Sequence, residues 1–383
     1  MLSLVIDTRL ILGERLPEIA TMSKIVVGMS GGVDSSVAAA LLKEEGHTVI
    51  GISMRIWDGD PYSSKCSRHS CYGPGEEEDI RDANTVADKL GIPFHVLDLR
   101  NEYKTEVLNY VREEYLSGRT PNPCVRCNRR IKFNALLTKA LDYGIDFDHF
   151  ATGHYVRVEY NKCRGRYLLR KAVDAKKDQS YFLFALSQKQ LSQCIFPLGN
   201  CNKDEVRALA RSFGFVVQEK AESQDFADGG YLELVKDGIK PGLVMDVQGN
   251  VLGEHQGVVN YTVGQRRGLG IATGQPLYVT AIDSSRNIVV VGPRSGVYSN
   301  HLMVSGLNWM AIEQLQDCLR VKAKVRYAHK PADAIIFPSD NAMVSVEFNE
   351  PQFAVAPGQS IVFYDDDVVV GGGTIEAKSS NCS

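Results

Sequence analysis

The chain is predicted to fold as an α/β domain, a parallel sheet with helices on both faces, followed by a small linking module and a C-terminal β-barrel. Three observations carry that prediction. Short β-type runs alternate with helical patterns through 24–155. A Gly/Ser-rich turn joins the first strand to the first helix, and from residue 240 onward Gly and Val become dense and the strands short. With 383 residues, 44% of them hydrophobic, the chain can build two or three domains with real cores.

In chain order, strands are expected at 24–29, 48–54, 94–98 and 148–152, and helices at 34–45 (closed by Gly46), 76–90, 101–117 and 131–143. Helical patterns follow at 188–198 and 203–213. The β half is expected to use 257–263, 276–283, 287–292, 320–327, 343–348 and 361–365. The domain limits read as 23–218 for the catalytic half, 219–297 for the linking module and 298–377 for the barrel. Residues 1–22 are expected to be a disordered extension or a misassigned start. Asp7, Arg9, Glu14, Arg15 and Glu18 break any signal-peptide core, and Met22 stands directly ahead of the first strand.

No run approaches the roughly 18 apolar residues of a membrane span. A net charge of −3 excludes a protein coated in positive charge, but leaves room for a local basic patch. Nine cysteines without a secretion signal point to a reducing cytoplasm, where their spacing means chemistry or metal rather than disulfides.

Two motifs carry chemistry. The first is Gly28-Met29-Ser30-Gly31-Gly32-Val33-Asp34-Ser35-Ser36, between a strand and an Ala-rich helix. Gly31 and Gly32 let backbone approach an anion, Ser30, Ser35 and Ser36 add hydroxyls, and the helix N-terminus adds its dipole. No Lys follows, so this is not the phosphate loop of ordinary ATPases and GTPases. The second is Pro121-Asn122-Pro123-Cys124-Val125-Arg126-Cys127-Asn128-Arg129-Arg130. Thiols beside Arg126, Arg129 and Arg130 near a helix start are expected to have a depressed pKa. Such a thiolate could carry sulfur, attack carbon or bind a metal. A lone Cys-x-x-Cys could also be half of a zinc knuckle, but its second half is absent from this sequence.

The nucleotide loop resembles that of the ATP pyrophosphatase (PP-loop) enzymes. Over 23–375 the chain resembles the tRNA-specific 2-thiouridylases of the MnmA/TrmU family. Further blocks carry the resemblance: Ala151-Thr152-Gly153-His154-Tyr155, Lys177-Asp178-Gln179-Ser180-Tyr181, Glu222-Ser223-Gln224-Asp225, 261–270, and Val325-Arg326-Tyr327. It implies a reaction in which ATP adenylates the C2 oxygen of a wobble uridine in tRNA. Sulfur then displaces AMP to give 2-thiouridine. It places Gly28, Met29, Ser30, Gly31, Gly32, Val33, Asp34, Ser35, Met54 and Gly153 at ATP, with Asp34 near the metal-pyrophosphate. It sets Asn122, Pro123 and Cys124 beside the target base and makes Cys127 the nucleophile. Lys177, Asp178, Gln179, Arg326 and Tyr327 would contact tRNA, and His154 and Gln359 would help recognise it. The implied cofactors are ATP and Mg2+. The implied partners are tRNA, partly through the linking module, and an upstream sulfur donor; a monomer is expected.

The sequence also departs from the family. Many members carry a second cysteine, the proposed persulfide carrier, where Ala227 stands, and often an Asp where Cys124 stands. Two replacements are open. Cys124 could carry or resolve a persulfide three residues from Cys127. Alternatively Cys124 and Cys127, with Cys71 as third ligand and Asp225 or Asp228 in support, could hold an iron–sulfur cluster of the 4Fe-4S kind; the cluster is preferred. Cys163, Cys194, Cys201, Cys318 and Cys382 read as free thiols.

Among smaller signals, Lys322, Lys324 and Arg326 fall on one face of a strand, and with Arg266, Arg267 and Lys330 could make a basic stripe. Glu76-Glu77-Glu78-Asp79 reads as an acidic helix start and Asp365-Asp366-Asp367 as a hairpin turn. Two other functions compete: a PP-loop synthetase adenylating a small molecule, and an inactive tRNA- or Fe–S-binding protein.

Overall fold

The computed structural model describes residues 22–59, 71–216, 235, 239–271 and 274–377. The catalytic half begins with β1 (Lys24–Gly28), α1 (Val33–Glu44), β2 (Thr48–Arg55), α2 (Glu76–Leu90) and β3 (Phe94–Asp98). Two short helices, α3 (Arg100–Tyr103) and α4 (Asn109–Leu116), flank a π-helical turn, Lys104–Leu108. The chain then forms α5 (Pro123–Cys127), a π-helix (Asn128–Ala135) and α6 (Leu136–Asp142) as one continuous rod. β4 (His149–Thr152), a hairpin of β5 (Val156–Asn161) and β6 (Arg166–Lys171), α7 (Ser180–Leu183), α8 (Gln188–Ser192), β7 (Cys194–Ile195) and α9 (Lys203–Ser212) complete it.

The sheet is parallel throughout, in the order β3-β2-β1-β4-β7. The chain runs outward one way from β1 and the other way from β4, so a crevice opens at the carboxyl ends of these two neighbours. Helix α1 shows why so apolar a segment forms a helix here. Val37 to Leu42 are at most 1% exposed, wedged between the sheet and α9. The three alanines let these layers approach closely. The helix ends where Gly46 turns at φ +89.

In the middle module β8 (Gly242–Asp246), β9 (Val251–His255), β10 (Tyr278–Asp283) and β11 (Ile288–Gly292) pair in the order β10-β11-β8-β9. Its core, around Val244, Val259, Val279 and Val289, packs on Tyr115 and Leu116 at the end of α4. The last module comprises β12 (Tyr298–Trp309), β13 (Leu319–Lys324), β14 (Ala332–Pro338), β15 (Val344–Phe353), β16 (Ser360–Asp365) and β17 (Val368–Ile375). Pairing of β12 with both β15 and β17 closes these six strands into a barrel. The β5–β6 hairpin of the catalytic half extends the same sheet beyond β17, and Asp367 receives Arg157 and Arg170, each at 2.7 Å.

Several expected elements are corrected. The helix over 101–117 is interrupted by its π turn, and that over 131–143 begins at Pro123. The helix over 188–198 stops at Ser192, because the apolar Cys194-Ile195 pairs with β4. At 257–263 there is a 3₁₀ turn, Val258–Asn260, instead of a strand. Val258 and Val259 are both buried in one core, which a strand with its alternating side chains does not allow. The strand expected over 320–327 ends at Lys324, so Arg326 leaves its face; Lys322 pairs with Asp333 at 2.7 Å, and the basic stripe is not continuous. Among the described residues no helix is long and apolar enough to cross a membrane.

Candidate active site

The Gly/Ser loop lies at the carboxyl end of β1, in the crevice beside β4. Its shape comes from its own hydroxyls. Ser35 Oγ accepts from Ser30 N at 3.1 Å, and Ser36 Oγ donates to Gly32 O at 2.8 Å. Gly31 adopts φ +71, and a β-carbon there would sit 2.2 Å from Asp79 O, so the loop packs directly on α2. A β-carbon on Gly153 would meet Ser35 N at 2.6 Å, which is how the end of β4 closes on the loop. A β-carbon on Gly32 would meet only Ser30 Oγ, at 3.5 Å, so this side of the loop has room for an anion. Met29 and Val33 point into the core, and Met54 packs against the neighbouring one; the first two offer a ligand backbone only. Glu76 Oε1 accepts from Ile56 N at 2.7 Å and Trp57 N at 2.9 Å, tying α2 to the segment after β2.

Asp34 is gripped by two groups that sequence reasoning did not assign. Lys203 Nζ lies 2.7 and 2.9 Å from its two carboxylate oxygens, and Tyr155 Oη donates to it at 2.7 Å. The cation missing from the loop motif thus comes from α9, 169 residues away in sequence. In the sequence Lys203 looks like an ordinary helix start, inside an Asn202/Glu205 capping box.

The cysteine pair sits on α5. Asn122 caps this helix, its Oδ1 accepting from Val125 N at 3.2 Å, and Pro123 occupies the first turn. Cys127 is buried, Cys124 half-buried and Cys71 exposed. The expected depressed thiol is overturned for Cys127, whose pKa burial pushes up to about 11. Two of the three arginines are engaged elsewhere: Arg126 bonds Glu106 at 2.7 Å and Arg130 approaches the same carboxylate at 3.8 Å. The cation acting on Cys127 is Lys132, five residues on and within the π-helix. Lys132 and the buried Tyr103 both feel the charge of Cys71, Cys124 and Cys127, so the three thiols share a neighbourhood. Among the described residues, however, no group of three or more His, Cys, Asp or Glu side chains converges to hold a metal ion. Ala227, Asp225 and Asp228 lie outside the described residues, as do Cys66 and Cys382. Asn128 is also buried beside Cys127; its Nδ2 donates to Phe182 O at 3.2 Å and its Oδ1 has no hydrogen-bond partner.

The residues expected at tRNA divide. His154 shares a 2.8 Å hydrogen bond with Thr152 and sits against Phe133 and Phe196; burial, aided by Lys132, lowers its pKa to about 3, so it is neutral. The buried Asp178 accepts from Ala172 N, Ser180 N and Ser180 Oγ, and Gln179 Oε1 accepts from Tyr155 N at 2.9 Å. These two side chains thus shape the turn into α7. Tyr327 is half-exposed and packs on Phe182, ring centroids 4.4 Å apart, with Lys324 Nζ 4.9 Å above its ring. Arg326 donates to Val263 O at 3.2 Å, bridging barrel and middle module. Gln359 Nε2 donates to Thr120 O at 3.1 Å and Pro121 O at 2.8 Å, immediately ahead of the cysteine helix.

Comparison with known proteins agrees with this architecture. Residues 23–227 match the model of the tRNA methyl transferase HUP domain, 235–293 that of the tRNA methyl transferase PRC-barrel domain, and 299–375 that of the aminomethyltransferase beta-barrel domain. Fold and site therefore define a HUP-domain protein with a Ser-Gly-Gly nucleotide loop and two β modules behind it. The chain is 50% identical over 364 residues to tRNA-specific 2-thiouridylase MnmA 1 of Caldanaerobacter subterraneus subsp. tengcongensis, covering 93% of this chain and 98% of that one. It is 48% identical over 360 residues to tRNA-specific 2-thiouridylase MnmA of Acetivibrio thermocellus, covering 92% and 99%. A 4-thiouridine synthetase in complex with RNA and ATP is similar at TM-score 0.36 and 19% identity, over 56% of this chain and 51% of that one. The chain belongs to the tRNA-specific 2-thiouridylase family.

Proposed function

We propose that this protein is an ATP-dependent tRNA sulfurtransferase that converts the wobble uridine of the anticodon to 2-thiouridine. The observation that carries the reading is the cysteine helix α5, capped by Asn122, in the same domain as the nucleotide loop. The loop receives ATP, its backbone and serine hydroxyls facing the phosphates. Asp34 would hold the Mg2+ that accompanies the nucleotide, with the Lys203 ammonium beside it. The uracil C2 oxygen attacks the α-phosphorus, the bond to the β-phosphate breaks, and pyrophosphate leaves. Oxygen at C2, a poor leaving group, has become part of AMP, a good one. The base must be flipped to reach these groups, and Phe182 and Tyr327 offer aromatic surface for it.

For the sulfur step we favour the cysteine pair, because Cys124 and Cys127 lie three residues apart on the same short helix, one thiol half-buried and the other buried. An upstream protein persulfide is the donor: the Cys127 thiolate attacks its outer sulfur, the donor's S–S bond breaks, the donor leaves as a thiol, and Cys127 becomes a persulfide. Its outer sulfur attacks C2 and AMP departs. The Cys124 thiolate then attacks Cys127 Sγ, cleaving the S–S bond, releasing the thiouridine and leaving a Cys124–Cys127 disulfide for an external thiol to reduce.

The test is anaerobic purification with iron and sulfide analysis, then thiolation of an unmodified tRNA anticodon substrate by wild type and by Cys71→Ser, Cys124→Ser and Cys127→Ser. An iron-free, active protein silenced only by the Cys124 and Cys127 changes supports the relay. Joint loss of iron and activity in all three sinks it and restores the cluster.

A further inference from the structure

The segment that delivers the cysteines, Arg119 to Asn122, is held largely by the C-terminal barrel. Thr120 N donates to Pro357 O at 2.8 Å, and Asn122 Nδ2 donates to Ser360 Oγ at 3.3 Å. Gly358, at φ +88, has no room for a side chain: a β-carbon would lie 2.9 Å from Thr120 O and 2.8 Å from Glu114 Oε2. Across this contact runs an ionic strut. Arg119 Nε bonds Glu114 Oε2 at 2.9 Å, at the end of α4, and its NH1 bonds Glu376 Oε2 at 2.7 Å, just beyond β17. Glu376 is fixed in turn by Ser305 Oγ, and its backbone N donates to Met303 O at 2.9 Å. All three charged side chains are mostly buried, between 21% and 28% exposed, where such bonds are stronger than at an open surface.

Among the described residues no hydrogen bond or ion pair of this strut reaches the nucleotide loop at 28–36, which is shaped by its own serines, by Asp79 and by Gly153. Among the described residues the barrel's hydrogen bonds therefore hold the segment leading into the cysteine helix, and the loop's own hydrogen bonds hold the other device. We propose that Arg119, braced by Glu376, is a positioning residue for the sulfur-transfer step alone: it sets the cysteine helix against the adenylated base and takes no part in adenylation. This rests on the function proposed above and deepens it.

The first test needs no turnover. In the full-length protein, the rate at which iodoacetamide labels Cys127 is followed by peptide mass spectrometry, with the buried Cys194 as internal reference. Loosening the segment in Glu376→Gln or Arg119→Met should speed Cys127 labelling at least fivefold and leave Cys194 unchanged. The second test measures pyrophosphate and 2-thiouridine in one reaction with ATP and tRNA. The variants should release pyrophosphate within about twofold of wild type while thiolation falls at least about tenfold, since a misplacement of about 1 Å can cost about a hundredfold in rate. Arg119→Lys should recover part of the coupling, and the exchanged pair Arg119→Glu with Glu376→Arg more of it than Arg119→Glu alone. Unchanged Cys127 labelling, or pyrophosphate and thiouridine that stay in proportion in every variant, overturns the proposal. A wild type that shows neither product, yet whose variants label faster, instead refutes the function proposed above and leaves the mechanical role of the strut standing.

Discussion

Replacing Gly153 by alanine tests how the nucleotide cradle is assembled. Gly153 is not in the left-handed region, so alanine adds no backbone strain; only contact matters. Its β-carbon would stand 2.6 Å from Ser35 N, 2.7 Å from Asp34 C and 3.0 Å from Asp34 Cβ. Ordinary contact begins near 3.4 Å, so Ser35 N must retreat by about 0.8 Å. Helix α1 cannot absorb this by sliding, because Val37 to Leu42 are fully packed. The displacement therefore falls on the loop and the end of β4. A misplacement of about 1 Å commonly lowers a rate about a hundredfold. Isothermal titration with ATP and pyrophosphate release with tRNA should show at least a tenfold loss in affinity or rate. Gly144→Ala is the control: at φ +77 with nothing within 4 Å, it should lower stability by about 1 kcal/mol and leave ATP binding alone. ATP affinity and pyrophosphate release both within twofold of wild type in Gly153→Ala would refute this account of the loop.

Three other outcomes can be checked. Lys203→Met removes the ammonium facing Asp34 and should lower the unfolding free energy by about 1–3 kcal/mol in urea titration, with Asp34→Asn added on top costing little more. Cys127 labelling should keep accelerating with pH toward about 11 rather than level off near 9, and Lys132→Met should push that rise still higher. Because the folded-state value is raised, the thiol favours the fold fully below its ordinary pKa near 9, and this is lost as pH climbs through about 11. His154 behaves in the opposite sense. Its lowered value means its contribution is complete above about 6.5 and is lost as pH falls toward about 3, so His154→Gln should flatten the acid limb of a stability–pH curve.

What could be read in advance depended on whether the physics was local. The strand–loop–helix at 24–44 was legible because turn glycines, hydroxyls and an alanine-rich helix are neighbours in sequence. The Cys-x-x-Cys pair behind Pro123 was legible as a motif for the same reason, although the helix that carries it was expected only from residue 131. The state of the Cys127 thiol was not, since burial comes from elements distant in sequence and Glu106 withdraws two of the flanking arginines. Lys203 and Lys132 were missed because a helix-start lysine and a lysine in a basic run look solvated until the fold encloses them. The β5–β6 hairpin hid in a charge-rich stretch, Lys162 to Arg166, that reads as loop. At Val258 and Val259 a β-type run was mistaken for a strand, because composition does not report which face each residue will bury.

That hairpin has a practical meaning for anyone recombining these modules. A cut at the family-model limits, between 227 and 299, would leave β5 and β6 with one parent and β17 with the other. Arg157 and Arg170 would then meet a foreign turn in place of Asp367. The heritable block is thus discontinuous: a chimera that imports a relative's barrel must also import residues 156–171, and one that does not is expected to lose the ion pairs on Asp367 and the β6–β17 pairing of Arg170 with Val368.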